Sequence, residues 1–191
     1  VLFRSLGYLM VVHPSLPVKN TAELIEVAKK QTLRYSTAGV GNGQHLAGAL
    51  LASMTKVDMM HVPYKGGGPA MTAVASGEVQ LHFPAASVGQ PMHKAGRVRI
   101  LAVTGEQRSK ALPDVPTLKE AGFNMAADAF FGLYAPAGMP ADVVARIDKA
   151  VADALRAPEI QEKVYGFGLV PSHAGSADLT ATQIGRASCR E

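Results

Sequence analysis

The chain has 191 residues, 48% of them hydrophobic, with 19 lysines and arginines against 15 acids and a formal charge of +4. That is enough apolar material to bury the core of one domain or of two small lobes, and no apolar run reaches the length of about 18 residues that reads as a membrane span. The basic residues are scattered, tryptophan is missing and only 6% of residues are aromatic. No basic, aromatic-interleaved surface of the kind that holds nucleic acid is written here, so neither nucleic acid nor direct membrane insertion is expected.

Cys189 is the only cysteine, and one thiol makes neither an intrachain disulfide nor a zinc cluster. No cofactor and no metal are expected. The two ends, Val1 to Ser5 and Ile184 to Glu191, resemble translated sequencing-adapter read-through and are expected to be non-native. Resequencing across both junctions tests this. Without Arg4, Arg186, Arg190 and Glu191 the charge falls from +4 to +2, so part of the basic character is an end effect.

In chain order, Gly7 to Val12 reads as a strand, closed by His13-Pro14-Ser15-Leu16-Pro17, where two prolines enforce an extended connection. Asn20 or Thr21 caps a helix to Lys30. Leu33 to Thr37 is the next strand. It runs through Ala38-Gly39-Val40-Gly41-Asn42-Gly43 into a helix from about Gln44 to Met54, with Leu46, Ala49, Leu50 and Met54 expected inward. Glycines there admit positive φ, Asn42 stands at the N-cap, and a helix start with free N–H groups attracts anions.

The same grammar repeats. Val57 to Tyr64 is a strand, Lys65-Gly66-Gly67-Gly68-Pro69 a glycine loop, and a helix with Met71, Val74 and Ala75 inward follows, Pro69 suiting its first turn. Val79 to Phe83 is a strand, Pro84 to Val88 a loop, and a short helix carries Met92 and Lys94. Arg97 to Thr104 is the clearest buried strand. Leu112 to Thr117 is a rigid loop capping a helix at Leu118 to Ala121. Phe130 to Ala135 is a strand, Ala141 to Leu155 an amphipathic helix striped by Val144, Ile147, Val151 and Leu155, and Pro158 opens a last helix. Strands alternating with helices mark an α/β protein with mainly parallel sheets.

The motifs Val12-His13-Pro14-Ser15-Leu16-Pro17, Tyr35-Ser36-Thr37-Ala38-Gly39, His45-Leu46-Ala47-Gly48, His61-Val62-Pro63-Tyr64-Lys65-Gly66, Leu112-Pro113-Asp114-Val115-Pro116-Thr117 and Gly132-Leu133-Tyr134-Ala135-Pro136 follow one another in a familiar order. On them the chain resembles the substrate-binding proteins of tripartite tricarboxylate transporters, the Bug-type solute receptors. The resemblance implies a two-lobed, type II Venus-flytrap α/β fold, incomplete here, with residues 6–62 and 131–183 in one lobe and 63–130 in the other. It implies a periplasmic protein, not an enzyme, that holds a small organic carboxylate between its lobes and delivers it to membrane transporter subunits. It further implies native sequence beyond both ends, including a signal peptide.

For the ligand site, the resemblance carries over Ser36, Thr37, Gly39, Asn42 and Gln44, and the loop matching Pro84 to Ser87 adds Ala86 and Ser87. Gly41 belongs to the same glycine loop, and Tyr64, Lys65 and Gly66 sit at the expected lobe crossing and the second helix-start cradle. Ser36 and Thr37 neighbour each other on a strand, so their side chains point oppositely. His45 is expected to pack under the loop and His61 to sit in its strand. Phe83 is followed by Pro84 where the family often has Asp or Asn, which favours a plain carboxylate over an amino acid.

A nucleotide- or effector-binding α/β domain of an enzyme or regulator is the alternative. The dinucleotide fingerprint would need a third glycine one position after Gly43, where Gln44 stands, and no Gly-Lys-Ser/Thr follows any glycine loop. No Gly-x-Ser-x-Gly elbow points to a hydrolase.

Overall fold

The computed structural model describes residues 2–5, 7–109, 112–127, 130–166 and 169–170. In chain order the elements are β1 (Leu2–Ser5), β2 (Leu9–Val12), α1 (Thr21–Ala28), β3 (Leu33–Thr37), α2 (Gly43–Thr55), β4 (Met59–Pro63), α3 (Gly67–Ala75), β5 (Leu81–His82), α4 (Ala86–Lys94), β6 (Arg99–Val103), β7 (Phe130–Gly132), α5 (Ala141–Arg156), α6 (Pro158–Gly166) and β8 (Leu169–Val170). They divide into two compact units, Leu6–Ala129 and Val1–Ser5 with Phe130–Glu191.

The unit Leu6–Ala129 is built on a five-stranded sheet of order β4-β3-β5-β2-β6. β3 pairs in parallel with β4 and with β5, whereas β2 runs antiparallel to β5 and to β6. Parallel pairing is therefore confined to β4-β3-β5. Alternation along each strand fills both faces. Met10, Val12, Leu33, Tyr35, Leu81, Phe83 and Leu101 pack with Leu24, Ile25 and Ala28 of α1 and Ala47 and Leu51 of α2. On the other face Leu9, Val11, Ile100 and Val103 pack with Met71 and Val74 of α3 and Ala86 of α4. Such double cover is what parallel strands require.

The division differs from the one expected at Val62-Pro63. Those residues lie inside β4, which pairs with β3 over its length, Ser36 opposite Val62 and Thr37 opposite Pro63. β5 and β6, later in the chain, belong to the same sheet. The proline in an edge strand ends a ladder and does not part a domain. The other boundary falls between Ala129 and Phe130.

Two further expectations change. α2 presents Ala47, Gly48 and Leu51 to the sheet, while Leu46, Ala49, Leu50 and Met54 are exposed. A Cβ on Gly48 would stand 2.3 Å from Cε2 of Tyr35, so close approach of helix to strand selects the small-residue face. Leu118 to Ala121 forms a single hydrogen-bonded turn in place of a helix, closed by Ala121 N–H to Thr117 O at 3.0 Å.

Asn20 is the N-cap of α1: its Oδ1 accepts Glu23 N–H at 2.9 Å, and Glu23 reaches back to Lys19 N–H at 2.7 Å. In the second unit, β1 lies between β7 and β8 and pairs antiparallel with both. Leu2–Ser5, expected to be foreign, thus joins a ladder, which is made of backbone groups and demands little of side-chain identity. α5 buries Ala152 and Leu155 and leaves Val144 and Ile147 exposed. Residues 171–191, including the expected non-native Ile184 to Glu191 and Cys189, lie outside the described residues. No helix among the described residues is long and apolar enough to cross a membrane.

Candidate functional site

Because β4, β3 and β5 run in parallel, the loops that leave their C-terminal ends lie along one edge of the sheet, and α2, α3 and α4 all begin there. Ligands of open α/β sheets bind outside the carboxyl ends of the strands. The three loops are residues 38–42, 64–66 and 83–85. The first two touch: Tyr64 N–H donates to Thr37 O at 2.9 Å, and the Cβ position of Gly39 lies 4.0 Å from Tyr64 O.

Helix starts usually carry acids that offset the dipole. α1, α5 and α6 obey, with Glu23, Asp142 and Glu159 in their first turns. The first turns of α2, α3 and α4 carry none. Among the described residues, the N–H groups of Gly43, Gln44, Gly67, Gly68, Ala86 and Ser87 have no hydrogen-bond acceptor. Pro69 fills the third position of α3, where a helix has no acceptor to lose. The edge thus concentrates three positive helix ends without an acid in their first turns.

The side chains of the first loop are mostly engaged in building it. Ser36 and Thr37 are both fully buried. Ser36 Oγ donates to Ala70 O of α3 at 2.9 Å, tying β3 to that helix. Thr37 Oγ1, on the opposite face, lies 2.9 Å from Gly39 O and 2.6 Å from His61 Nε2. A hydroxyl has one proton; when it goes to the Gly39 carbonyl, His61 Nε2 must carry the hydrogen of the second bond. Gly39 and Gly41 take φ of 138° and 78°, in the region that disfavours side chains.

Asn42 Oδ1 accepts His45 N–H at 2.9 Å, and Gln44 Oε1 accepts Ala38 N–H at 2.8 Å. Only the oxygen of an amide can accept, so the NH2 groups of both residues remain as donors. His45 and His61 stack with ring centroids 4.0 Å apart, and Tyr35 lies 5.1 Å from His61. His45 Nδ1 accepts Gly41 N–H at 3.1 Å, so this ring pins the glycine loop from beneath. Burial lowers the pKa of His61, and the charge of His45 adds to the effect.

In the second loop, the side chain of Tyr64 turns to Glu78, donating to Oε1 at 2.8 Å, beyond the far end of α3. Burial, chiefly, and this carboxylate raise its pKa. Only the Tyr64 backbone faces Gly39. Lys65 is exposed, and Gly66 is the N-cap of α3 with φ of 116°. Just after the third loop, Ala86 is buried and Ser87 exposed in the first turn of α4. The structure therefore brings the loops of Gly39, Gly41, Asn42, Gln44, Tyr64, Lys65, Gly66, Ala86 and Ser87 to one sheet edge, with Ser36 and Thr37 as internal ties. Among the described residues, no group of three or more His, Cys, Asp or Glu side chains could hold a metal.

Tyr8 was not among the expected residues. It precedes β2, bridges Ala85 antiparallel, and lies half-buried at the same edge. Its phenol tip abuts the first residue of α2: a Cβ on Gly43 would stand 2.2 Å from the hydroxyl oxygen. The signal was present in the alternation of Tyr8, Met10 and Val12, which face the α2 side together. What sequence spacing does not convey is that β2 runs against β5 and so brings its N-terminal end to this edge.

Comparison with known proteins identifies the family. The model of the family described as "Tripartite tricarboxylate transporter family receptor" matches residues 3–188. The chain is 38% identical over 133 residues to the UPF0065 protein in the clcB-clcD intergenic region of Pseudomonas knackmussii, covering 69% of this chain and 79% of that protein. It is 33% identical over 175 residues to the UPF0065 protein in the tcbD-tcbE intergenic region of Pseudomonas sp. strain P51, covering 88% of this chain but 52% of that one. An R. palustris protein solved with adipate superposes with a TM-score of 0.93 at 30% identity, over 98% of this chain and 65% of that one. The periplasmic binding protein BugD superposes at 0.87 and 29% identity, over 95% and 62%. MatC from Rhodopseudomonas palustris with bound malate gives 0.86 and 28%, over 96% and 65%.

The chain thus spans about half of some curated relatives and under two thirds of these solved structures. With a family model matching nearly its whole length, the chain belongs to the tripartite tricarboxylate transporter receptor family, a family of solute-binding receptors and not of enzymes.

Proposed function

We propose that this protein is a periplasmic solute receptor that binds a small organic carboxylate at the edge formed by the loops after β3, β4 and β5, and delivers it to the membrane subunits of a tripartite tricarboxylate-type transporter. The observation that carries the reading is the set of three helix starts at one edge, each without an acid in its first turn. A carboxylate placed there accepts from the N–H groups of Gly43, Gln44, Gly67, Gly68, Ala86 and Ser87. Bonds to an ionised acceptor are about twice as strong as neutral ones, and each helix end adds about 0.3–1 kcal/mol.

The amide NH2 groups of Asn42 and Gln44 and the Ser87 hydroxyl complete the donor set, and Lys65 adds positive potential from solvent. Ser36 and Thr37 serve by fixing the strand end. Relatives solved with adipate and malate support the ligand class. The receptor family and the relative described as a periplasmic binding protein support the compartment and the transporter partner. Titration of the 15N-labelled chain with C3–C9 mono-, di- and tricarboxylates tests the proposal. Saturable shifts at the six amides, with the ligand recovered unchanged, are expected. Turnover of the ligand, or shifts produced only by nucleotides, would overturn it.

A further inference from the structure

Tyr8 lies where three parts of the edge meet. Its backbone is held from both sides: Tyr8 N–H donates to Thr104 Oγ1 at 2.7 Å, and Thr104 N–H donates to Tyr8 O at 2.8 Å. The fully buried Thr104 hydroxyl is itself spent on Ala127 O at 2.7 Å. The neighbouring Leu9 N–H is fixed to Pro84 O at 2.9 Å, so the residue is locked beside the loop that leads into α4. From there the side chain reaches past the end of β5, the strand between β2 and β3, to the helix that follows β3.

The ring arrives at Gly43 and packs partly on the core beneath. Besides the hydroxyl oxygen, Cζ and Cε2 would stand 2.9 and 3.0 Å from a Cβ at position 43. Only a glycine lets the phenol come so near the start of α2. Gly43 has an ordinary backbone conformation, unlike Gly39 and Gly41. Its smallness is therefore used for the approach of the ring and not for a turn.

On the reading of this edge as a carboxylate site, we infer that Tyr8 is a specificity-determining residue whose ring walls the site beside the α2 start. A carboxylate that accepts from Gly43 and Gln44 N–H must project its first carbons past that ring. The wall admits an unbranched carbon next to the anchored carboxylate and rejects a branched one. The argument is steric and belongs to the ring, whatever the hydroxyl bonds.

The test compares succinate with 2,3-dimethylsuccinate, which is branched beside both of its carboxylates, on the full 191-residue chain, by amide titration at Gly43, Gln44, Gly67 and Ser87. Excluding extra carbon from an apolar wall discriminates by about 10-fold or more, so the unaltered chain should prefer succinate by at least that factor. Tyr8→Ala should bring the preference close to unity, and Tyr8→Phe should keep it. Gly43→Ala should weaken succinate binding with Tyr8 in place and do so much less beside Tyr8→Leu. Since the ratio of two affinities is read, a general loss of stability does not imitate the result. Equal weakening of both ligands by Tyr8→Ala and by Tyr8→Leu, or no preference in the unaltered chain, would overturn the inference and leave the receptor reading standing. No shift with either ligand in the unaltered chain would overturn both.

Discussion

His82 should make this fold sensitive to mild acid. It is fully buried on β5, and its Nδ1 lies 2.8 Å from Ser36 O. A carbonyl only accepts, so Nδ1 carries the hydrogen and Nε2 presents a bare lone pair, buried and without a partner among the described residues. Burial pushes the pKa down from 6.5 to about 4, against the smaller opposing pull of the Ser36 carbonyl. The unfolded chain takes up this proton near pH 6.5 and the folded chain only near 4. Above 6.5 both states are neutral and the contribution to stability is whole. Between the two values the unfolded state binds more protons, so stability falls as pH falls, by about 1.4 kcal/mol per unit, reaching about 2.5 kcal/mol lost at pH 4.5. His82→Gln keeps an N–H for Ser36 O and removes the titration. Urea unfolding followed by far-ultraviolet circular dichroism at pH 7.0, 6.0, 5.0 and 4.5 gives both curves. The variant should gain on the parent by about 2 kcal/mol or more across that range, since acids and other histidines are common to both and cancel. Parallel curves, or a ring titration of His82 in the native chain with its midpoint near 6.5, would refute the reasoning.

Other consequences follow from close approaches and caps. Gly48→Ala should lower stability by about 1–3 kcal/mol, read as a fall in urea midpoint at constant slope, because the new methyl drives α2 off the buried Tyr35 ring. Asn20→Ala should cost about 1 kcal/mol by the same measurement, through loss of the α1 cap; an unchanged midpoint would show that Glu23 alone suffices. Gly41→Val should weaken carboxylate binding more than His61→Ala does, since φ of 78° imposes about 1–2 kcal/mol on a side chain there. The reverse order in an amide titration would count against the loop as the anchoring element.

What could be read from the sequence and what could not are separated by the range of the interactions. Strand, glycine loop and helix start are local. The spacing from Leu33 to Met54 and from Val57 to Ala75 therefore shows two strand, glycine-loop and helix units in the sequence itself. Their convergence was legible only in part. Parallel order places the loops after β3, β4 and β5 on one edge, but nothing local states that β5 rather than β4 is the inner neighbour of β3 on the β2 side. The inward face of α2 departs from its hydrophobic stripe for a related reason. Leu46, Leu50 and Met54 form the more hydrophobic stripe, yet Ala47, Gly48 and Leu51 face inward because the Tyr35 ring occupies the space that larger side chains would need. Hydrophobicity ranks faces, whereas the facing strand decides which of them fits.

Pro63, expected at a lobe crossing, lies in a strand that is hydrogen-bonded into the sheet. At the site itself, the hydroxyls that looked most like ligand donors, Ser36 and Thr37, are those that the fold consumes. The groups left over are backbone N–H, which every residue but proline owns and no sequence pattern singles out. The sequence does mark their availability indirectly, by leaving acids out of three first turns and supplying them in the other three. An uncompensated helix end is an electrostatic debt that solvent can meet at one terminus. Three on a single sheet edge are far better met by a bound anion, so it is charge distribution, more than any motif, that supports the proposed site.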